Sequence, residues 1–359
     1  MVFNSHKLRS GFRKRTACVI MVMMIMSSVL FLIPGFACAS NSMQNYYLQP
    51  QDSVDVLVMG SSPTRSGINT NVLWEEFGIA SYSLNGPEEP YWITYYKLKE
   101  ALKTQTPMLI ILDAKAAIYP DDYCSQIRIV ANTFDILSEE NRVEAIRVSL
   151  ENQDELQGYL DAAAEYQRTG KVKGGWTHPD GDRAPCWKGY IEVDKIDEHK
   201  RPSFSWNYET TPINAREEEY VRKIIELVKE TGIPMVFVAT PNPDYAYDHK
   251  YFNYLWGIAY EYGIGWINYN DPDMHYGLRY MTDFADWQHL NVRGGIIFTR
   301  RLGKDLKTYF DLPDRRGDPK YASYDECAWL WYEKYPTFMS ADPEKQPLTW
   351  FDGQGTAQQ

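Results

Sequence analysis

Apolar residues along this chain alternate between short unbroken runs and longer periodic stretches. Val54-Asp55-Val56-Leu57-Val58-Met59 runs into Gly60-Ser61-Ser62-Pro63, which predicts a strand and then a tight turn. Trp74 to Phe77 predicts a brief helix. Ile79 to Leu84 predicts a second strand, closed by Asn85-Gly86-Pro87, and Tyr91 to Lys103 a helix. The third strand, Pro107 to Asp113, is apolar throughout, as a parallel strand covered on both faces should be. The rhythm resumes at Glu217 to Glu230. There Tyr220, Val221, Ile224, Leu227 and Val228 form one stripe of a helix that Thr231-Gly232 ends. A fourth strand (Ile233 to Ala239), a helix (Phe252 to Tyr262), a fifth strand (Ile264 to Tyr269) and a last helix (about Arg293 to Phe310) complete the pattern. Strands alternating with helices predict an α/β fold: three-layer αβα, flavodoxin-like, with five parallel strands.

The alternation fails between Tyr119 and Asn214. Glu140 to Arg168 has a helical pattern, and a Gly-, Pro- and Trp-rich stretch comes after it. That is too long for a loop. Residues 121–206 are read as an insertion leaving the carboxyl edge of the third strand and capping the site. Its Trp176, Trp187, Tyr190, Phe204 and Trp206 would offer flat faces to sugar rings, or would bury a small core of their own. The α/β domain proper is then 54–120 with 207–312. An aromatic tail, 313–359 (Trp329, Trp331, Tyr332, Trp350), is expected to pack across the body.

The N-terminus changes the picture of where this domain works. Lys7, Arg9, Arg13, Lys14 and Arg15 precede an apolar run from Ala17 to Ile33, broken by Pro34-Gly35. Ala37-Cys38-Ala39 is a small-x-small cleavage context. Residues 1–39 are therefore read as a signal peptide or a membrane anchor, with 40–53 a linker. Basic residues ahead of the apolar run place the body of the chain outside the cytoplasm. The chain carries a net charge of −11, and all five of those cations lie in the first 15 residues, so the body is more acidic still. An acidic body without a basic stripe excludes a duplex nucleic-acid binder. Cys124, Cys186 and Cys327 are widely spaced and no CxxC occurs, which argues against a zinc or redox motif; a disulfide among the three stays open.

Two places carry chemistry. Ser62 comes after the first strand on a glycine-containing turn, where sites form in open α/β sheets. There a hydroxyl is exposed beside its own backbone N–H, which suits a nucleophile that also holds an oxyanion. Just before the last helix, Asp283-Phe284-Ala285-Asp286-Trp287-Gln288-His289-Leu290-Asn291 sets Asp286 and His289 three apart. One turn of chain lets that carboxylate meet the imidazole, fix its tautomer and steady it as it takes a proton from Ser. No His/Asp/Glu cluster has the spacing of metal ligands, and no cofactor motif appears.

Taken together, these blocks resemble the SGNH (GDSL-type) hydrolase superfamily over roughly Asp55 to Phe310. The resemblance aligns Gly60-Ser61-Ser62 with its first block, making Ser62 the nucleophile, and Asp286-x-x-His289 with its last. It makes Gly86 an oxyanion donor, with Asn85 as substitute for a missing third-block asparagine: where that block would read Gly-x-Asn-Asp, this chain has Leu112-Asp113-Ala114-Lys115. The wording around the blocks is similar to a membrane-tethered bacterial branch associated with membrane-bound O-acyltransferases. That implies a serine-dependent acyl ester hydrolase or O-acyltransferase acting on an acylated glycan or cell-wall polymer. A membrane-bound O-acyltransferase is the implied partner, and no cofactor is implied. A non-catalytic scaffold that binds glycan or such a partner is the alternative.

Overall fold

The structure is a computed structural model that describes residues 43–120, 122–169, 187–202, 208–271 and 273–336. The signal or anchor, Trp176, Cys186, Phe204, Trp206 and Trp350 lie outside the described residues.

Five strands form one parallel sheet: β1 (Val56–Gly60), β2 (Ser81–Asn85), β3 (Leu109–Asp113), β4 (Met235–Ala239) and β5 (Gly265–Asn268). Their spatial order is β2-β1-β3-β4-β5, the flavodoxin-like order expected. Side chains alternate between the two faces. Leu57, Met59, Ile110, Leu112 and Phe237 face one buried layer, which includes helices α4 (Tyr91–Ala101), α8 (Ala215–Thr231) and α9 (Tyr245–Tyr262). Val56, Val58, Leu109, Ile111 and Val238 face the other, built from α3 (Thr70–Phe77) and α10 (Val292–Tyr309). Burial on both sides is why the strands read as unbroken apolar runs.

A short helix α1 (Met43–Tyr47) packs on α4, and helix α2 (Ser62–Gly67) starts directly after β1. Strand order changes direction between β1 and β3, so that turn lies at the switch point where α/β sheets open a crevice.

The described part of 121–206 has two portions. Residues 122–169 hold α5 (Gln126–Thr133), α6 (Glu139–Arg147) and α7 (Leu156–Thr169). The helix expected over 140–168 is broken, because Asn152 caps a fresh start by accepting from the Asp154 N–H. This lobe docks on α4, where the Trp92 indole donates to Ser149 at 2.9 Å. Residues 187–202 form an extended strap. The Ser83 N–H of edge strand β2 donates to the Lys188 carbonyl at 2.8 Å, so the strap covers that sheet edge. Gly189 has φ +87°, and a Cβ there would strike the Ser83 carbonyl, so the close approach requires glycine.

Two of the insertion's aromatics are corrected by this packing. Trp187 and Tyr190 do not face a cleft; they are buried with Val72, Val292, Ile296 and Trp331. Trp331 belongs to α11 (Ala322–Lys334), by which the tail packs on the body, with Tyr324 against Trp74 at 5.1 Å. No disulfide joins Cys124 to Cys327, and Cys186 lies outside the described residues.

Candidate active site

The turn after β1 is built around a glycine and a buried acid. Gly60 has φ +132°, and a Cβ there would sit 2.4 Å from that of Asp113 at the end of β3. No other residue fits between β1 and β3 in that conformation. The chain then makes an extended step at Ser61 and enters α2 at Ser62, with Pro63 in the first turn. Ser61 is fully buried, and its hydroxyl donates to Asp113 at 3.2 Å. Ser62 is the first residue whose side chain emerges at the carboxyl edge.

The partner loop is a tight hairpin ahead of α10. Phe284 and Leu290 form an antiparallel bridge, and the Ala285 N–H donates to the His289 carbonyl at 2.8 Å. Inside it, Asp286 accepts the backbone N–H groups of Gln288 and His289 at 2.8 and 2.9 Å. That local turn swings the imidazole over its own carboxylate. His289 Nδ1 lies 2.9 Å from both Asp286 oxygens, and His289 Nε2 lies 2.8 Å from Ser62 Oγ.

The tautomer follows from valence. Partial burial pushes the Asp286 carboxyl up. The His289 hydrogen bond and charge, with the two backbone N–H groups, outweigh it and hold the carboxyl down at about 2. Ionised, it can only accept, so Nδ1 carries the proton, Nε2 is the acceptor, and Ser62 O–H donates to it. An imidazole so held can take the serine proton.

The other sequence-predicted residues stand nearby with their polar groups engaged. The Gly86 N–H donates to the Gly60 carbonyl at 3.3 Å. Asn85 Nδ2 donates to Thr64 Oγ1 at 2.6 Å, while Asn85 Oδ1 accepts from Ser83 at 2.7 Å. An anion formed at Ser62 would compete with Gly60 for the first and with Thr64 for the second.

Three neighbours escaped the sequence reading. Burial pushes Asp113 up to about 6, against the N–H bonds of Lys115 and Ser61, the Ser61 hydroxyl and the Lys115 charge. Its only sequence signal was that an acid stood where the resemblance expects another motif. Asn132 of α5 presses its Oδ1 on Gly86 and donates to the Pro87 carbonyl at 3.0 Å; no sequence signal connects α5 to that turn. Lys115 pairs with Asp248 at 3.2 Å, and its ammonium lies 5.8 Å from the ring centre of Trp287, which stands half-exposed beside His289. Among the described residues no three His, Cys, Asp or Glu side chains are grouped as a metal site.

Sheet order and site thus define a three-layer α/β protein with a serine, a histidine and a carboxylate hydrogen-bonded in series at the switch point. No family model and no curated protein matches the chain. Among solved structures, one from Bacteroides fragilis, described provisionally as an acylhydrolase, is similar at a TM-score of 0.37 and 12% identity. The match covers 77% of this chain and 96% of that one. So weak a likeness says nothing about chemistry, and the fold assignment rests on this chain's own sheet.

Proposed function

We propose that this protein is a serine-dependent acyl-ester enzyme. The observation that carries this reading is the 2.8 Å contact between Ser62 Oγ and an imidazole nitrogen whose partner nitrogen is held by Asp286. Ser62 Oγ bonds to the acyl carbon as its proton passes to His289 Nε2. His289 then gives that proton to the departing alkoxide, leaving an acyl-Ser62 ester. Water, or a hydroxyl of an acceptor, attacks the acyl carbon next, losing its proton to His289, which passes it to Ser62 Oγ as the acyl–Ser62 bond breaks. Asp286 keeps the imidazole in the right tautomer and steadies the imidazolium.

The substrate class belongs to the same proposal: an acylated glycan or cell-wall polymer outside the cytoplasm. The resemblance and the N-terminal charge pattern support it. Transfer to a glycan hydroxyl, with a membrane-bound O-acyltransferase as partner, is the form in which an acceptor replaces water.

Turnover of a small activated acetyl ester tests the chemistry. Ser62→Ala and His289→Ala should each lower the rate by roughly 10³-fold or more, and Asp286→Asn by less, since triad members act as a unit. Full activity of Ser62→Ala in cells that acylate the polymer would replace this reading with the non-catalytic scaffold. The engaged Gly86 and Asn85 donors are what favour that second reading.

A further inference from the structure

The sheet has two outer edges, treated differently. The strap covers β2, whereas no strand pairs with the outer side of β5 among the described residues. A cleft of about 810 Å³ opens beside β5, a volume that suits a ligand. Trp266 of β5, Trp256 of α9 and Tyr309 of α10 are among the aromatic side chains that line it. Trp256 and Tyr309 are 47% and 70% exposed, so their faces are open to solvent. The amides of Asn253 and Asn268 stand among them, already donating to the Glu209 carbonyl at 2.8 Å and to the Tyr245 hydroxyl at 2.6 Å.

Asp271 and Met274 line this cleft and also a second, more polar cavity of about 220 Å³. The two therefore share a wall. Arg201, Arg279 and His275 line the second. Arg279 is exposed, and no described residue pairs with its guanidinium. Two arginines and a histidine gathered at one cavity stand out in a chain of net charge −11.

Each half has its own chemistry. Exposed aromatic faces suit sugar rings, whose C–H faces are apolar. Guanidinium forks match the paired oxygens of a carboxylate or phosphate. Arg301 in the aromatic cleft is paired with Asp305 at 2.9 Å, so the acidic group belongs on the side of Arg279. We propose that the joined clefts bind an acidic oligosaccharide, its rings on Trp256, Trp266 and Tyr309 and its acidic group on Arg279. Asn268 ends β5 on the same carboxyl edge as Ser62, three strand spacings or roughly 14 Å across the sheet. A chain bound there would run along the edge where the proposed acyl chemistry occurs, but the binding itself requires none of that chemistry.

The test is calorimetric titration of the full-length Ser62→Ala protein in a non-ionic detergent. Oligogalacturonate, a phosphorylated oligomannose and neutral maltohexaose are the probes. At least one acidic probe should bind tenfold or more tightly than maltohexaose, and the better of the two identifies carboxylate or phosphate as the acid. Arg279→Glu should weaken the acidic probe at least tenfold and leave maltohexaose unchanged, while Trp256→Ala should weaken both. Both side chains are exposed, so folding should survive, as thermal melts would verify. Equal affinity for acidic and neutral probes overturns the proposal. So does the absence of saturable binding at millimolar concentration, or binding that neither substitution alters. Because the titration is done without Ser62, its failure and a failure of the acyl chemistry are read separately.

Discussion

Ser61 and Ser62 are neighbours with different tasks. The Ser61 hydroxyl goes inward to Asp113 at 3.2 Å, and the Ser62 hydroxyl goes outward to His289 at 2.8 Å. Ser61→Ala should therefore weaken the fold, by the roughly 1–3 kcal/mol of a buried acceptor losing a donor, and change ester turnover only slightly. Denaturant melts beside a rate assay would separate the two, and a collapse of rate without loss of stability would contradict it. Asp113 adds a pH signature. Its folded value, about 6, lies above the ordinary 3.8, so the folded protein keeps a proton that the unfolded chain releases between those values. The contribution is greatest below the unfolded value and is lost as pH rises through about 6, up to about 3 kcal/mol in all. Asp113→Asn should flatten the fall in stability between about pH 4 and about pH 6; an unchanged slope would assign it to other groups. Ser62, Asp286 and His289 were legible because a spacing of three and a strand-end glycine turn are local features. Asp113 needed the register of β1 against β3, which only the assembled sheet supplies.

The elements that carry these residues are tied together by chain that the sequence left featureless. The strap connects both halves of the site. Ile191 N–H donates to the Arg65 carbonyl on α2 at 3.0 Å, Val292 N–H to Val193 at 3.0 Å, and Asp197 N–H to Phe284 at 2.9 Å. Backbone bonds of this kind leave no trace in side-chain periodicity, so the stretch read as a Gly-, Pro- and Trp-rich insertion capping the site. The hairpin holding His289 is pinned at its base by a buried ion pair between Asp283 and Arg293. Asp283→Ala would leave that guanidinium uncompensated and should cost about 3–5 kcal/mol. Thermal unfolding measures the loss, and a variant as stable as the parent would mean the hairpin is held by the strap instead. The strands and long helices were legible through apolar runs and stripes. Helix α5 was not, since Ile127 and Ile129 alternate like a strand and its packing against α7 decides the matter, with Phe134 on Tyr166 at 4.6 Å.

At the scale of the whole molecule, the parallel sheet and its strand order follow from the alternation of strand and helix, whereas the treatment of its two edges does not. The sequence contains no signal that 187–190 would cover β2 or that β5 would border an open cleft. Nor did the tail's aromatics reveal that Trp331 and the insertion's Trp187 and Tyr190 would share one buried cluster. Among the described residues no helix is long and apolar enough to cross a membrane, and the apolar run from Ala17 to Ile33 precedes them. We propose that the folded body lies outside the cytoplasm. Protease added to intact spheroplasts should then degrade it, and full protection until lysis would place it inside.

The central claim is that Ser62 is a nucleophile made reactive by His289 and Asp286. Its most direct test is covalent labelling of the full-length protein with a serine-directed fluorophosphonate, the adduct mapped by peptide mass spectrometry. One adduct is expected, on Ser62, absent in Ser62→Ala and strongly slowed in His289→Ala. An adduct on Ser61, or labelling of Ser62 at the same rate without His289, would contradict it.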